Sequence, residues 1–311
     1  MKQASGLIIG SHDDVHVRSV LERLTKDTVL VMDVATLSES KFVYRDASFQ
    51  IETRSGWIEI TEGTFTRGWF RRLAPLNWQQ GIPVGSRVAA ENTAWLSLMG
   101  GLSRLPTIEW LTKIDDSLIS ENKLHQLMIA DQIGIVTPRT VVSNMRSEVT
   151  AKLHGQRIIK PLGSGHFFES NVPHIIYTQI ADEMVLADLK KSPPMIIQEL
   201  LEAKLHLRVV VVRNQIWSAS IASDGLPIDW RSNETAHYSF EETIAPHDVQ
   251  TGALKVNAAL NLGYSSQDWI VTQEGAFLVD VNPGGQWLFL PKQIASAVSD
   301  AIARWLDSSH E

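Results

Sequence analysis

Gln267-Asp268-Trp269-Ile270-Val271-Thr272, then Gln273-Glu274-Gly275, then Phe277-Leu278-Val279-Asp280-Val281-Asn282-Pro283-Gly284-Gly285: from this late stretch the rest of the chain can be read. Two apolar, β-branched runs flank a polar turn that contains glycine, which predicts a β-hairpin. Asp268 lies on the first strand. Asp280 and Asn282 lie two apart on the second and so share one face of it. Hard oxygen ligands on paired strands suit Mg2+, which takes carboxylates together with phosphate oxygens in octahedral geometry. Pro283-Gly284-Gly285 ends the strand and lets the backbone pass close to a ligand. An Asp before Asn-Pro is also ordinary turn chemistry that needs no metal. The upstream residues raise the metal reading.

With 311 residues, 44% of them hydrophobic and 20% charged, the chain has material for two or three domains with real cores. The formal charge of -7 gives no broad basic field, which argues against nucleic acid as the main partner. There is no cysteine, hence no disulfide, no thiolate metal site and no cysteine nucleophile. The apolar run Leu7-Ile8-Ile9 is too short for a signal peptide, and no run approaches a membrane span. A soluble cytoplasmic protein with no membrane partner is the expectation. Of the 10 Trp, four (Trp217, Trp230, Trp269, Trp287) fall near candidate site segments, although burial in a core is the commoner fate of a Trp.

The opening reads strand (7–10), helix (15–24), strand (29–34), which predicts a parallel sheet. No GxGxxG follows the first strand, so no dinucleotide site is evident. Residues 42–72 read as strands punctuated by Gly56 and Gly63, and end in Arg71-Arg72, read as solvated. Residues 87–101 read as a helix stopped by Gly100-Gly101, with a domain boundary near 111–115. Ser120 is the expected cap of a helix carrying Lys123, Leu124, Leu127, Met128 and Ile133. A strand at 157–162 delivers Lys160, before the small loop Gly163-Ser164-Gly165. Residues 195–201 read as a strand containing Gln198-Glu199-Leu200-Leu201. Residues 206–221 read as a hairpin about Arg213-Asn214, 249–260 as a helix, and 295–306 as a closing helix.

Taken in order, these features form a set. Lys123 and Lys160 supply point charges for phosphate oxygens. The Gly163-Ser164-Gly165 loop can approach phosphates with backbone N–H groups. An apolar strand with free backbone groups can clamp an adenine, and the acidic hairpin can hold Mg2+ against the phosphates. Lys160 taken alone would read as a surface lysine.

With this order of residues, about 113–300 resemble the ATP-grasp superfamily of carboxylate–amine ligases. The order Lys123, Lys160, Gln198-Glu199, Arg208, Asp268, Asp280-Val281-Asn282-Pro283 is similar to that of the RimK-type glutamate ligases, and Arg231-Ser232-Asn233 to that branch's Arg-Ser-Asn. A closer resemblance is to the graspetide (microviridin-type) peptide macrocyclases. It rests on Trp69-Phe70-Arg71-Arg72, Lys123-Leu124-His125-Gln126-Leu127, residues 134–144, Asp229-Trp230-Arg231 and Asn282-Pro283-Gly284-Gly285-Gln286-Trp287.

The resemblance implies an α/β ATP-grasp fold with an N-terminal pre-ATP-grasp domain (1–112), a central lid subdomain (113–198) and a C-terminal catalytic subdomain (199–311). It implies ATP and Mg2+ as cofactors and a ribosomally made precursor peptide as substrate. The peptide's Asp or Glu side chains are joined to Ser, Thr or Lys side chains as ω-esters or ω-amides. A homodimer is a common arrangement in that group. By position, Lys123 and Lys160 meet phosphates. Gln198, Glu199, Leu200 and Leu201 hold adenine, largely through backbone, and His206 stands at the ribose. Asp268, Asp280 and Asn282 hold Mg2+ and meet the nucleotide through it. Arg208 and Arg231 stabilise the transferred phosphoryl group. The chain departs from that pattern at Asp280, where family members usually carry Glu, and at His206, where an acidic residue is common. Two other readings stay open: a RimK-like ligase adding residues to a free terminus, and a nucleotide-binding protein without ligase turnover.

Overall fold

The computed structural model describes residues 6–25, 29–46, 48–53, 56–61, 63–75, 77–163, 165–169, 172–233 and 235–308. Residues 1–5 and Ser164 of the small glycine loop lie outside the described residues. The chain forms two compact units. One takes the described residues up to 117 with 261–264 and those from 296 on, and the other takes 118–260 and 265–295. The closing helix, Lys292–Asp307, thus lies from residue 296 on in the same unit as the N-terminal residues.

In the first unit a parallel sheet runs in the order Val29–Met32, Gly6–Ile9, Arg67–Phe70, Glu109–Trp110. Gly6–Ile9 is buried at every position, as a central parallel strand requires. The helix Val15–Leu21 connects the first two strands in sequence, as the apolar spacing predicts. A short helix that the 29–34 run concealed, Val34–Ser38, follows, capped by the Asp33 carboxylate accepting from the Thr36 N–H at 2.8 Å. An antiparallel sheet of Phe42–Arg45, Ser48–Thr53 and Gly56–Ile60 puts Phe49, Ile51 and Ile60 into the same core. The helix Arg87–Leu102 runs through Gly100-Gly101 and ends at Ser103, whose Oγ donates to the Met99 carbonyl at 2.8 Å.

Arg71 is not solvated. It is 4% exposed, and its Nε donates to Asp14 Oδ2 at 3.1 Å. Asp14 also accepts from the His16 N–H at 2.8 Å. Burial alone would raise the Asp14 carboxyl, but the His16 hydrogen bond and the Arg71 charge hold it well below the usual carboxylate range. An arginine this buried needs such a partner, and a lone Arg-Arg in sequence does not disclose one. Lys190 and Lys191 are exposed.

The second unit contains an antiparallel sheet ordered Gln179–Ile180, Arg157–Pro161, Met195–Glu199, Thr140–Ser143, and a five-stranded sheet ordered Glu241–Glu242, Gln215–Ala222, Leu205–Val212, Tyr264–Val271, Ala276–Asn282. The first packs its apolar face on the helices Arg146–Lys152 and Glu183–Asp188 through Val149, Leu153, Ile159, Leu186 and Ile197. Asn122, not Ser120, caps the helix Lys123–Gln132, accepting from the Leu124 and His125 N–H groups at 3.0 and 3.1 Å. Ser120 closes the preceding helix, Ile114–Ser120.

In the first unit, Gly263 lies against the Leu111 backbone, and its N–H donates to Thr112 Oγ1 at 3.0 Å. A Cβ on Gly263 would stand 1.7 Å from the Leu111 carbonyl oxygen. The Gly263→Ala variant is therefore expected to lose about 1–3 kcal/mol, as overpacking does. Urea unfolding measures this, and an unchanged midpoint would contradict the close approach.

Candidate active site

The decisive hairpin forms as the sequence predicts, from Tyr264–Val271 and Ala276–Asn282. Asp268 stands directly opposite Asp280, and Ser266 opposite Asn282. After Asp268 the register shifts, so that Trp269 faces Leu278 and Val279 is the extra residue of a bulge. A bulge leaves its extra residue outside the ladder, and here the Val279 carbonyl turns to a new donor, Lys160 Nζ, at 3.3 Å. Asn282 Nδ2 donates to Asp280 Oδ2 at 3.0 Å. Like charges directly opposite one another destabilise a sheet, so this pair needs cations. Arg208, on the neighbouring strand Leu205–Val212, provides one: its Nη1 lies 2.7 Å from Asp268 Oδ1.

Lys160 is the fourth residue of Arg157–Pro161 and is only 9% exposed. Burial pushes its ammonium down to about 8, with Asp280 and Asp268 pulling it up and Lys123 and Arg231 pushing it further down. Lys123, in the first turn of its helix, donates to the Pro161 carbonyl at 3.3 Å. Both lysines line one cleft of about 310 Å³, and so do Asp268, Asp280, Arg231, His206 and the segment Gln198 to Leu201. This volume is within the usual range of small-molecule sites.

The wall opposite the hairpin is the end of Met195–Glu199. Gln198 Nε2 donates to Thr140 Oγ1 at 2.8 Å, whereas its buried Oε1 has no hydrogen-bond partner among the described residues. The Glu199 carboxylate is committed to Arg139, at 2.6 Å from its Nε. The Leu200 N–H donates to the Gln156 carbonyl at 3.0 Å. The Leu201 N–H has no acceptor among the described residues. His206 is half-buried beside this wall, and burial holds its imidazole below the ordinary value despite the opposing charges of Asp268 and Asp229.

Arg231 sits in the 3-10 turn Trp230–Ser232 and makes a bidentate pair with Asp229, at 2.7 Å from each of Nε and Nη2. Asp229 also accepts from the Thr178 N–H at 3.0 Å. Burial would raise its carboxyl, but the Arg231 bonds and charge hold it low. Arg208 does not line the cleft itself and reaches it through Asp268.

The donor set fits one kind of cation. Among the described residues no three His, Asp or Glu side chains could together hold a metal ion. The hairpin offers two carboxylates and one amide oxygen. That is what Mg2+ uses when phosphates complete its shell, rather than an all-protein cage.

Gln126, quoted in the sequence only as part of 123–127, has a role there that the sequence does not disclose. It is buried, and its side chain donates to the Val281 carbonyl at 2.8 Å and accepts from the Val281 N–H at 3.1 Å. It fixes the residue between Asp280 and Asn282. The signal was a polar residue three after Lys123, while the apolar Leu124 and Met128 of the same helix are exposed.

No protein-family model matches the chain, and no curated protein does. Solved structures do. A RiPP-associated ATP-grasp ligase from Chryseobacterium gregarium, in complex with ADP and a leader and core peptide, is similar at a TM-score of 0.84 and 22% identity. The match covers 97% of this chain and 96% of that one. The macrocyclase MdnC from Microcystis aeruginosa, bound with the precursor peptide MdnA, is similar at 0.81 and 21% identity, over 97% and 98% of the two chains. The chain has the ATP-grasp fold. A RimK domain ATP-grasp protein from Sphaerobacter thermophilus shares it more loosely, at a TM-score of 0.56 and 13% identity over 97% and 99%. Within the second unit of this ATP-grasp chain, the two sheets contribute the lysine wall and the acidic hairpin of one cleft. Among the described residues no helix is long and apolar enough to cross a membrane.

Replacing Gln126 with Leu strips both partners from the buried Val281 backbone. The expected cost is about 2–6 kcal/mol, the sum for two buried groups left unsatisfied. Denaturant unfolding measures it, and a loss close to zero would contradict the bridging role.

Proposed function

We propose that this chain is an ATP- and Mg2+-dependent ligase that activates side-chain carboxylates of a ribosomally made precursor peptide. It then closes each onto a hydroxyl or amine of the same peptide. The observation that carries this is the meeting of Lys160 with the facing Asp268–Asp280 pair in one cleft. The similar structures support it: one was solved with ADP and a leader and core peptide, another with a precursor peptide. The RimK-like reading draws on a looser likeness and is kept second.

In this reading Asp268, Asp280 and Asn282 hold Mg2+, and Lys123 and Lys160 hold phosphate oxygens. The Leu201 N–H, without an internal acceptor, is free for an adenine nitrogen, with Gln198, Glu199 and Leu200 forming the rest of that wall. His206 offers the ribose a ring nitrogen. When bound, Mg2+ and ATP supply the phosphoryl group that makes a carboxylate oxygen a leaving group. Arg231, aligned by Asp229, presents fixed N–H groups to charge developing on the activated acid. Arg208 holds Asp268 in place and adds its own positive charge. The domain roles follow: lid within 113–198, catalytic sheet from 199 on, pre-ATP-grasp domain before 113.

The test is incubation with Mg·ATP and peptides that carry Ser, Thr or Lys together with Asp or Glu, read by mass spectrometry. Loss of one water per bond, with ADP release, is the expected result. Gain of a residue mass would point to RimK-like addition, and no ADP with any peptide would contradict ligase activity. Asp280→Asn is expected to lower turnover by roughly 10²–10³-fold, as loss of one charge-stabilising group does, with an unchanged melting temperature. Wild-type turnover in that variant would remove Asp280 from the metal site.

A further inference from the structure

His237 has no role in the reading above. It lies in the 3-10 turn Ala236–Tyr238, just after the turn that carries Arg231. Its ring is edge-on to Trp230 at 5.0 Å between centres and edge-on to Phe289 at 5.4 Å. Phe240 completes the group, 5.1 Å from Trp230 and 5.7 Å from Phe289. Trp230 and Phe240 line the cleft beside Arg231, and the Arg208 guanidinium lies 5.9 Å from the Phe289 ring centre. Two aromatic rings, Trp230 and Phe289, therefore pack an imidazole on the arginine side of the site, next to the lining residue Trp230; His237 itself is not part of the cleft lining.

That imidazole is half-buried, and neither ring nitrogen has a hydrogen-bond partner among the described residues. The ligation needs a proton acceptor, because a hydroxyl or amine must lose a proton as it attacks. The carboxylates nearby are engaged: Asp229 by Arg231, Asp268 by Arg208, and Asp280 by Asn282. The lysines and arginines are cations. His206 stands at the wall assigned to the nucleotide.

Resting on the proposed carboxylate activation, we infer that His237 is the general base of the bond-forming step. It takes the O–H or N–H proton of the acceptor side chain while the acceptor's electron pair forms the C–O or C–N bond. The acyl carbon–oxygen bond to phosphate breaks, and its electron pair leaves on the phosphate.

The electrostatics agree with this role. Burial, and then the charges of Arg208 on its strand and Arg231 on its turn, hold His237 below its ordinary 6.5. Such a histidine is neutral, and so competent as a base, throughout the neutral range. It loses that competence only as pH falls below 6.5 toward its lowered value.

The experiment compares the full-length wild type with His237→Phe, which keeps the ring packing, and His237→Asn, which keeps a polar group. Each is given Mg·ATP and the same Ser/Thr/Lys- and Asp/Glu-containing peptides, with and without hydroxylamine, a nucleophile that needs no base near neutral pH. Ring closure is expected to fall by roughly 10²–10⁴-fold in both variants, while hydroxamate formation stays within about twofold of wild type. The acid limb of the ring-closure profile should disappear. In the wild-type protein without nucleotide, the His237 ring proton should titrate below 6.5 by NMR. Unchanged ring closure, hydroxamate falling in parallel with it, rescue by Asn, or a titration at or above 6.5 would each overturn the assignment. If the wild type gives neither rings nor hydroxamate, the ligase reading fails, and this inference fails with it.

Discussion

Two carboxylates facing each other across a hairpin are the constraint on which the second unit of this molecule depends. Asp268 and Asp280 are direct cross-strand partners. Their repulsion would loosen the sheet unless positive charge were brought to it. Arg208 comes from the adjacent strand of the same sheet, and Lys160 comes from the other sheet. Lys160 reaches the hairpin because a bulge leaves the Val279 carbonyl outside the ladder. The bulge, the buried lysine and the acidic pair form one electrostatic unit. It is arranged around a gap that a hydrated cation and phosphates would fill.

Neighbouring groups keep that unit from relaxing. Gln126 holds Val281 by both of its backbone groups, so Asp280 and Asn282 cannot rotate independently. Asp229 holds Arg231 by two bonds and is itself held by the Thr178 N–H. In carboxylate activation no protein nucleophile is required, and charge placement and positioning carry the rate. In the proposed reaction these fixed side chains would supply both. The aromatic group around His237 continues the same pattern on the side where the acceptor would approach.

The sequence disclosed those parts whose physics is local. The hairpin is visible in its β-branched runs and glycine turn, the Lys160 strand in Ile158-Ile159, and the shared face of Asp280 and Asn282 in their spacing of two. Parts that depend on distant partners were not visible. Arg71 reads as a solvated charge until Asp14, far away in the chain, is brought beside it. Ser120 and Asn122 are both plausible caps, and only the break between two helices separates them. Gln126 looks like one polar residue among many until the strand it serves is known. His237 gives no motif, because its surroundings come from Trp230 and Phe289, which lie on separate segments.

The most direct test of the central claim is a crystal structure of the chain with magnesium and a non-hydrolysable ATP analogue. The expected result places the phosphates against Lys123 and Lys160, the metal on Asp268, Asp280 and Asn282, and the adenine on the Leu201 N–H. A nucleotide bound outside this cleft, or bound in it with the metal away from the facing carboxylates, would contradict it.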